Sequence, residues 1–130
     1  METISGPAPT LGAPAELPRE TMRLLKDCHD ACRRLFMDHA PKESGRTPPA
    51  LFLKRLLACI EITGTTASYL LKEGIAAGRL CEITAQVCQQ CAESCDRLGA
   101  ADAAACAQLC RDAAHACLEE GYRLRLAAAA

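Results

Sequence analysis

Aromatic residues are scarce in this chain of 130 residues, which has no tryptophan, two phenylalanines and two tyrosines. Proteins that bind single-stranded nucleic acid stack its bases on aromatic side chains, so this scarcity argues against such a function. An excess of charge of one sign is lacking as well, because 15 lysines and arginines stand against 16 aspartates and glutamates. Without a basic stripe, nucleic acid is not an expected partner.

Long apolar runs are also missing. A membrane span needs roughly 18 apolar residues, and the strongest stretch, residues 51–71, is interrupted by Lys54, Arg55, Glu61 and Gly64. The N-terminus does not join positive charge to an apolar segment as a secretory signal would. We therefore expect a cytoplasmic protein that does not engage a membrane. In that reducing compartment cysteines are expected as thiols or metal ligands rather than as disulfides.

Helix-forming residues make up most of the chain, since half of it is apolar and rich in alanine and leucine. Prolines and glycines divide it into four helical segments, with no strand-like alternation between them. Four helices of about 20 residues with short connections predict an all-α fold, an antiparallel up-down-up-down four-helix bundle. The predicted helices cover residues 18–40, 47–77, 79–98 and 102–126.

Two of the predicted boundaries depend on single residues. The second helix is expected to begin with Thr47 as its cap and to end near Glu73, or at Ala77 with Gly78 closing it. The fourth is expected to begin around Asp102 as a cap and to run past Tyr122. The bundle then forms one domain over residues 18–126, after a disordered tail at 1–17 rich in proline and glycine and before a frayed end at 127–130.

Cysteine is abundant, with ten in the chain. Most are three, four or seven residues from the next, and such offsets place side chains on one face of a helix. With antiparallel helices and a rise of about 1.5 Å per residue, most of the thiols converge at mid-bundle height. Cys95 and Cys106 are expected toward the end that holds His39, and Cys81 and Cys117 toward the opposite end. The thiols at mid-height are those of Cys28, Cys32, Cys59, Cys88, Cys91 and Cys110.

A core of thiols indicates a soft metal ion. Thiolates favour Cu(I), Zn(II) or iron–sulfur clusters. Zinc commonly takes paired Cys-x2-Cys turns, whereas this chain has one such spacing, Cys88 and Cys91, inside a predicted helix. Iron–sulfur clusters draw their cysteines from loops, and Cu(I) accepts two or three sulfurs with little angular demand. Zinc and iron–sulfur binding stay as alternatives, as does a structural bundle in which the cysteines only pack.

Three sequence runs carry a family resemblance: CHDAC at 28–32, LCEITAQVCQQCAESC at 80–95 and CAQLCRDAAHAC at 106–117. Over about residues 20–122 the chain resembles the bacterial copper storage proteins, four-helix bundles whose core cysteines hold many Cu(I) ions. The resemblance implies copper storage or buffering rather than enzymatic activity, with several Cu(I) ions per chain. The ligands that it implies are Cys28, Cys32, Cys59, Cys81, Cys88, Cys91, Cys95, Cys106, Cys110 and Cys117.

The chain departs from this pattern in the second helix, where Thr63, Thr66 and Ser68 stand where several thiols would be expected. We therefore interpret it as a cysteine-poorer member of lower capacity. The resemblance also places His39 at the mouth of the bundle, as a residue that first meets an incoming ion. A histidine favoured by the dipole at the end of a helix explains His39 equally well.

The outer faces give fewer signals. His29 is expected to flank the thiol stripe and His115 to be exposed. The Glu-x-x-His pairs of a di-iron bundle are missing from the sequence, and carboxylates such as Glu82 are typical of solvated faces. A second apolar row on the second helix, Leu53, Leu57 and Ile60, predicts burial on two sides. Either the N-terminal tail or another subunit covers this row, and we favour contact with another subunit in a homo-oligomer, a dimer or tetramer.

Overall fold

The fold is a four-helix bundle. The computed structural model describes residues 17–40, 48–72 and 75–129, and within these ranges the chain forms four helices and no strand. None of the four has the length and apolar character needed to cross a bilayer. The helices are α1 at Arg19–His39, α2 at Ala50–Leu70, α3 at Ile75–Leu98 and α4 at Ala101–Ala129.

The helices follow an up-down-up-down path, in which each packs against its neighbours in sequence and α1 closes the ring against α4. His39 at the end of α1 lies 3.1 Å from the Asp102 carboxylate at the start of α4. Arg125 near the end of α4 likewise lies 2.6 Å from Glu82 near the start of α3. Contacts between the end of one helix and the start of another confirm the antiparallel arrangement.

The expected boundary between α2 and α3 is wrong. The α2 helix ends at Leu70, and α3 already begins at Ile75, so Gly78 lies inside α3 instead of closing α2. Gly78 is buried, and a Cβ there would stand 3.5 Å from the Leu124 Cβ. This glycine therefore allows α3 to pack closely on α4, a role that its position in the sequence does not distinguish from a helix stop.

The other boundaries agree within three residues. The α4 helix begins at Ala101, and Asp102 lies in its first turn, where a carboxylate oxygen accepts a hydrogen bond from the backbone of Ala103 at 2.8 Å. Gly99 ends α3 with a φ of +79°, as expected of a helix-closing glycine. The α4 helix continues to Ala129, so residues 127–129 are helical. Thr47 and residues 1–16 lie outside the described part of the chain.

The core is built from small side chains. The buried leucines among the described residues are Leu25, Leu35, Leu56 and Leu70, and the only buried aromatic ring there is that of Phe52. Cysteines and alanines fill most of the remaining interior. Because these side chains are short, the helices can approach closely and bring thiols from different helices into contact.

Candidate metal centre

All ten cysteines are buried in the interior and none forms a disulfide. Nine have no exposed surface, and Cys106 is 2% exposed. Their helical spacing explains this, since offsets of three, four and seven keep the thiols on the face of each helix that meets the others. The sequence-based prediction that the thiols point into the bundle is therefore confirmed.

Four thiols from three helices form the tightest group. The Sγ atoms of Cys28 and Cys32 on α1, Cys59 on α2 and Cys110 on α4 all lie within 4.8 Å of one another. Cys28 donates a hydrogen bond to the Cys110 sulfur at 3.6 Å, and its sulfur is 3.7 Å from that of Cys59. Cys32 lies 3.8 Å from Cys110. With metal–sulfur bonds of about 2.3 Å, ligand sulfurs stand roughly 3.8–4.0 Å apart, so these separations suit a shared ion.

Four further thiols extend this group along the bundle. Cys88 lies 3.7 Å from Cys59, and Cys91 lies 3.9 Å from Cys32. Cys106 is 3.6 Å from Cys32 and lies close enough to Cys95 to raise its pKa. We call these eight residues the thiol cluster: Cys28, Cys32, Cys59, Cys88, Cys91, Cys95, Cys106 and Cys110. Every helix contributes at least one of its thiols.

The remaining two thiols lie together at the other end of the bundle. Cys81 on α3 and Cys117 on α4 lie close enough for each to shift the pKa of the other, and both are fully buried. We call them the distal pair. Their position agrees with the expectation from the rise per residue, as does that of Cys95 and Cys106 toward the end that holds His39.

Burial without a cation sets the electrostatics of the core. No lysine or arginine is buried among the described residues. The pKa of Cys32 is raised by hydrogen bonding with Cys106 and Cys110 and by burial, and that of Cys117 by hydrogen bonding with Cys81 and by burial. The pKa of Cys59 is shifted in the opposite direction, because hydrogen bonds from Cys110, Cys28 and Cys32 lower it. Thiolates inside this core therefore need positive charge from elsewhere, which a bound metal ion supplies.

The histidines lie at the edges of this thiol core. The His39 ring contacts Phe52 edge-on, with 5.9 Å between ring centroids, and its Nε2 faces Asp102. His29 flanks the core as expected, and its Nδ1 donates to the Ile60 carbonyl at 2.8 Å. His115 is exposed and lies 3.4 Å from the Glu119 carboxylate. Neither His39 nor another histidine joins the group of four thiols among the described residues.

The carboxylates are mostly on the outside, with one exception that the sequence analysis missed. Glu120 is 7% exposed and is held by the guanidinium of Arg123. Glu82, expected on a solvated face, is half-buried and pairs with Arg125. Both residues lie near the distal pair. The i, i+3 spacing of Glu120 and Arg123 is visible in the sequence, but burial of the carboxylate depends on the packing of α4 against α3.

The fold and the site together define a class: a four-helix bundle whose interior is rich in free thiols able to hold soft metal ions. Within that class, the copper storage protein family model matches residues 15–121. The chain therefore belongs to the copper storage protein family. No curated protein and no solved structure matches it at a significant level.

Proposed function

We propose that this chain binds several Cu(I) ions as thiolates in its core and serves to store or buffer copper in the cytoplasm. The observation that carries the proposal is the thiol cluster, eight buried sulfurs from four helices, seven of which are linked by contacts of at most 3.9 Å. Membership of the copper storage protein family supports copper as the ion. The proposed ligands are the ten cysteines, and copper is the cargo rather than a cofactor.

The contacts within the thiol cluster favour Cu(I) over zinc and iron–sulfur clusters. A structural zinc site needs four thiolates and is then complete, whereas Cys32 alone is within 4 Å of Cys91, Cys106 and Cys110. Cu(I) can share bridging sulfurs and accepts two or three of them, so one set of contacting thiols can hold several ions. Iron–sulfur clusters need space for bridging sulfides, and the Sγ atoms here stand in direct contact.

Burial of the thiols supports metal binding rather than catalysis. The thiols have almost no exposed surface, so only a species of ionic size can reach them without unfolding the bundle. A protein whose reactive groups meet no molecular substrate is suited to hold ions and not to act as an enzyme. Ten free thiols also suit a reducing compartment, which supports a cytoplasmic location.

An anaerobic Cu(I) titration of the reduced protein against a competing chelator tests this proposal. We expect several ions per chain, whereas one ion or fewer would reject it. Replacing Cys88, Cys91 and Cys110 by serine is expected to remove most of this capacity while circular dichroism still shows a helical bundle. A brown protein with visible absorbance would instead indicate an iron–sulfur cluster.

His39 is proposed as the residue that first meets incoming copper, since it lies at the end of the bundle nearest Cys95 and Cys106. An imidazole placed there accelerates uptake without adding a storage site. His39→Ala is therefore expected to slow Cu(I) loading in stopped-flow measurements and to leave the final stoichiometry unchanged. An unchanged loading rate would show that His39 has only a structural role, through its contacts with Asp102 and Phe52.

A homo-oligomer, a dimer or tetramer, is proposed from the second apolar row of α2. Leu57 is 48% exposed, while Leu53 and Ile60 are half-buried and partly packed on the core. A leucine half in water beside two further apolar side chains suits contact with a second copy. Light scattering of the chain and of Leu57→Lys tests this, with a monomeric variant as the expected result.

A further inference from the structure

A layer of hydroxyl groups interrupts the thiols of the core. Thr63 and Thr66 on α2 and Thr84 on α3 have no exposed surface, and we call them the threonine layer. Thr84 lies between Cys81 and Cys88 along α3, and both threonines of α2 follow Cys59. The threonine layer therefore separates the thiol cluster from the distal pair.

Internal hydrogen bonds occupy the hydroxyls of the threonine layer. The Thr84 hydroxyl donates to the Leu80 carbonyl at 2.7 Å and accepts from the Thr66 hydroxyl at 2.6 Å. The Thr63 hydroxyl donates to the Cys59 carbonyl at 2.7 Å. These are neutral oxygen groups whose protons are already engaged, and soft Cu(I) prefers sulfur over such oxygens. The layer cannot carry copper between the two sets of thiols.

The distance between the two sets is also too great for a shared ion. Cys81 and Cys88 are seven residues apart on α3, and so are Cys110 and Cys117 on α4, which corresponds to about 10 Å along a helix axis. Two sulfurs bound to one metal at about 2.3 Å each stand at most about 4.6 Å apart. An ion held by Cys81 and Cys117 therefore cannot also be bound by Cys88 or Cys110.

A close helix contact fixes the geometry of the distal pair. A Cβ added at Gly121 on α4 would stand 3.5 Å from the Cys81 Cβ and 3.4 Å from the Gly78 carbonyl oxygen on α3. This short distance between helices, allowed by two glycines, brings the Cys81 thiol against α4, where Cys117 lies one turn before Gly121. This close approach of the two helices holds the Cys81 side chain on the side of α3 that faces Cys117.

We propose that the bundle has two separate copper compartments, the eight-thiol cluster and an independent site at Cys81 and Cys117 that holds a single two-coordinate Cu(I). The proposal rests on the function proposed above and adds that the copper-binding thiols are divided into two independent sites. Two thiolates satisfy Cu(I) but not zinc, so the distal pair is selective for copper by ligand number alone. Its ion fills and leaves without any change in the occupancy of the thiol cluster.

The test compares two variants that each lose two thiols. Cys81→Ser with Cys117→Ser removes the distal pair, and Cys95→Ser with Cys106→Ser removes the same number from the thiol cluster. Each is titrated anaerobically with Cu(I) while the emission of Cu(I)–thiolate clusters is followed. The first variant is expected to lose one ion per chain with its emission unchanged, whereas the second is expected to lose emission as well as copper.

The outcomes separate this inference from the proposed function. The division into two compartments would be overturned if the Cys81/Cys117 variant bound as much copper as the wild type, lost more than one ion, or lost its cluster emission. A wild-type chain that binds one ion or fewer would instead overturn the proposed function. Thr66→Cys with Thr84→Cys provides an independent check, because thiols in the threonine layer are expected to join the compartments and make emission sensitive to loss of Cys81 and Cys117.

Discussion

Thr66 and Thr84 form a hydrogen bond across two helices in an interior made mostly of cysteine, alanine and leucine. Removal of one partner leaves the other without its bond, whereas valine at both positions keeps the shape and buries no unsatisfied group. Thr66→Val is therefore expected to lower the free energy of unfolding by about 1 kcal/mol. Thr84→Val is expected to cost more, about 1–3 kcal/mol, because the Thr66 hydroxyl loses its acceptor.

A double-mutant cycle measures this coupling directly. Urea unfolding of the reduced, metal-free single and double variants is expected to give a coupling energy of about 1 kcal/mol, with the double variant less destabilised than the sum of the singles. Exposed Thr65→Val serves as a control for the change in helix propensity. If the free-energy changes of the two single variants added up to that of the double variant within about 0.3 kcal/mol, this would contradict a direct bond between the two hydroxyls.

Single residues also show where sequence reasoning ends. The inward direction of Cys28, Cys32 and Cys110 could be predicted because thiols on one helix face must be buried together. The hydrogen bond of Thr66 to Thr84 could not, since it depends on how far α2 is shifted along α3. Sequence spacing gives the face of a helix on which a side chain lies, but not the partner that it meets on the next helix.

At the scale of elements, glycines in different settings have opposite effects. Gly64 is inside α2, where a Cβ would meet the His29 ring at 3.4 Å, an ordinary contact. Gly99 has a φ of +79° and nothing within 4 Å of the added Cβ, so its substitution changes only the backbone energy. In a helix interior, alanine is more stable than glycine by about 1 kcal/mol. In the left-handed region of backbone conformation, alanine is less stable than glycine by about 1–2 kcal/mol.

Gly64→Ala is therefore expected to raise the melting temperature of the metal-free protein by a few degrees, and Gly99→Ala to lower it by a similar amount. Thermal unfolding followed by circular dichroism checks both signs, with each variant the control for the other. A lower melting temperature for Gly64→Ala would show that the His29 ring cannot adjust to the new methyl group.

The same elements explain the error at the start of α3. Four helices, their order and three of the four helix beginnings could be predicted, because prolines and glycines there coincide with true ends. Gly78 resembled a helix stop, but it is a packing residue opposite Leu124. Because glycine favours both a helix end and a close helix contact, only the position of α4 distinguishes the two roles.

At the scale of the whole molecule, most thiols of the metal-free core retain their protons. The pKa is raised at seven of the ten thiols, Cys28, Cys32, Cys88, Cys91, Cys95, Cys110 and Cys117. It is lowered at Cys59, Cys81 and Cys106, where hydrogen bonds from other thiols favour the thiolate. Across the core the raised values prevail, because burial without a cation opposes the accumulation of negative charge.

This balance gives the stability of the protein a pH dependence of known sign. Below the ordinary thiol pKa of 9.0, the seven thiols with a raised pKa are protonated in both the folded and the unfolded chain, so they do not change the stability with pH. Above it the unfolded chain loses protons that the folded core retains, so the free energy of unfolding falls as pH rises. Copper replaces the protons of the folded core, so unfolding with release of copper takes up protons below this pKa and none above it. The stability of the loaded protein therefore does not fall through this titration.

We therefore expect the melting temperature of the reduced, metal-free protein to fall between about pH 8 and pH 10, where thiols titrate. That of the Cu(I)-loaded protein is expected not to fall in this range. Anaerobic thermal unfolding by circular dichroism at a series of pH values measures both forms. The loaded protein controls for lysines and tyrosines, which titrate equally in each. Parallel declines would show that copper does not replace thiol protons in the core, and this would contradict the whole description of the bundle as an exchanger of protons for Cu(I).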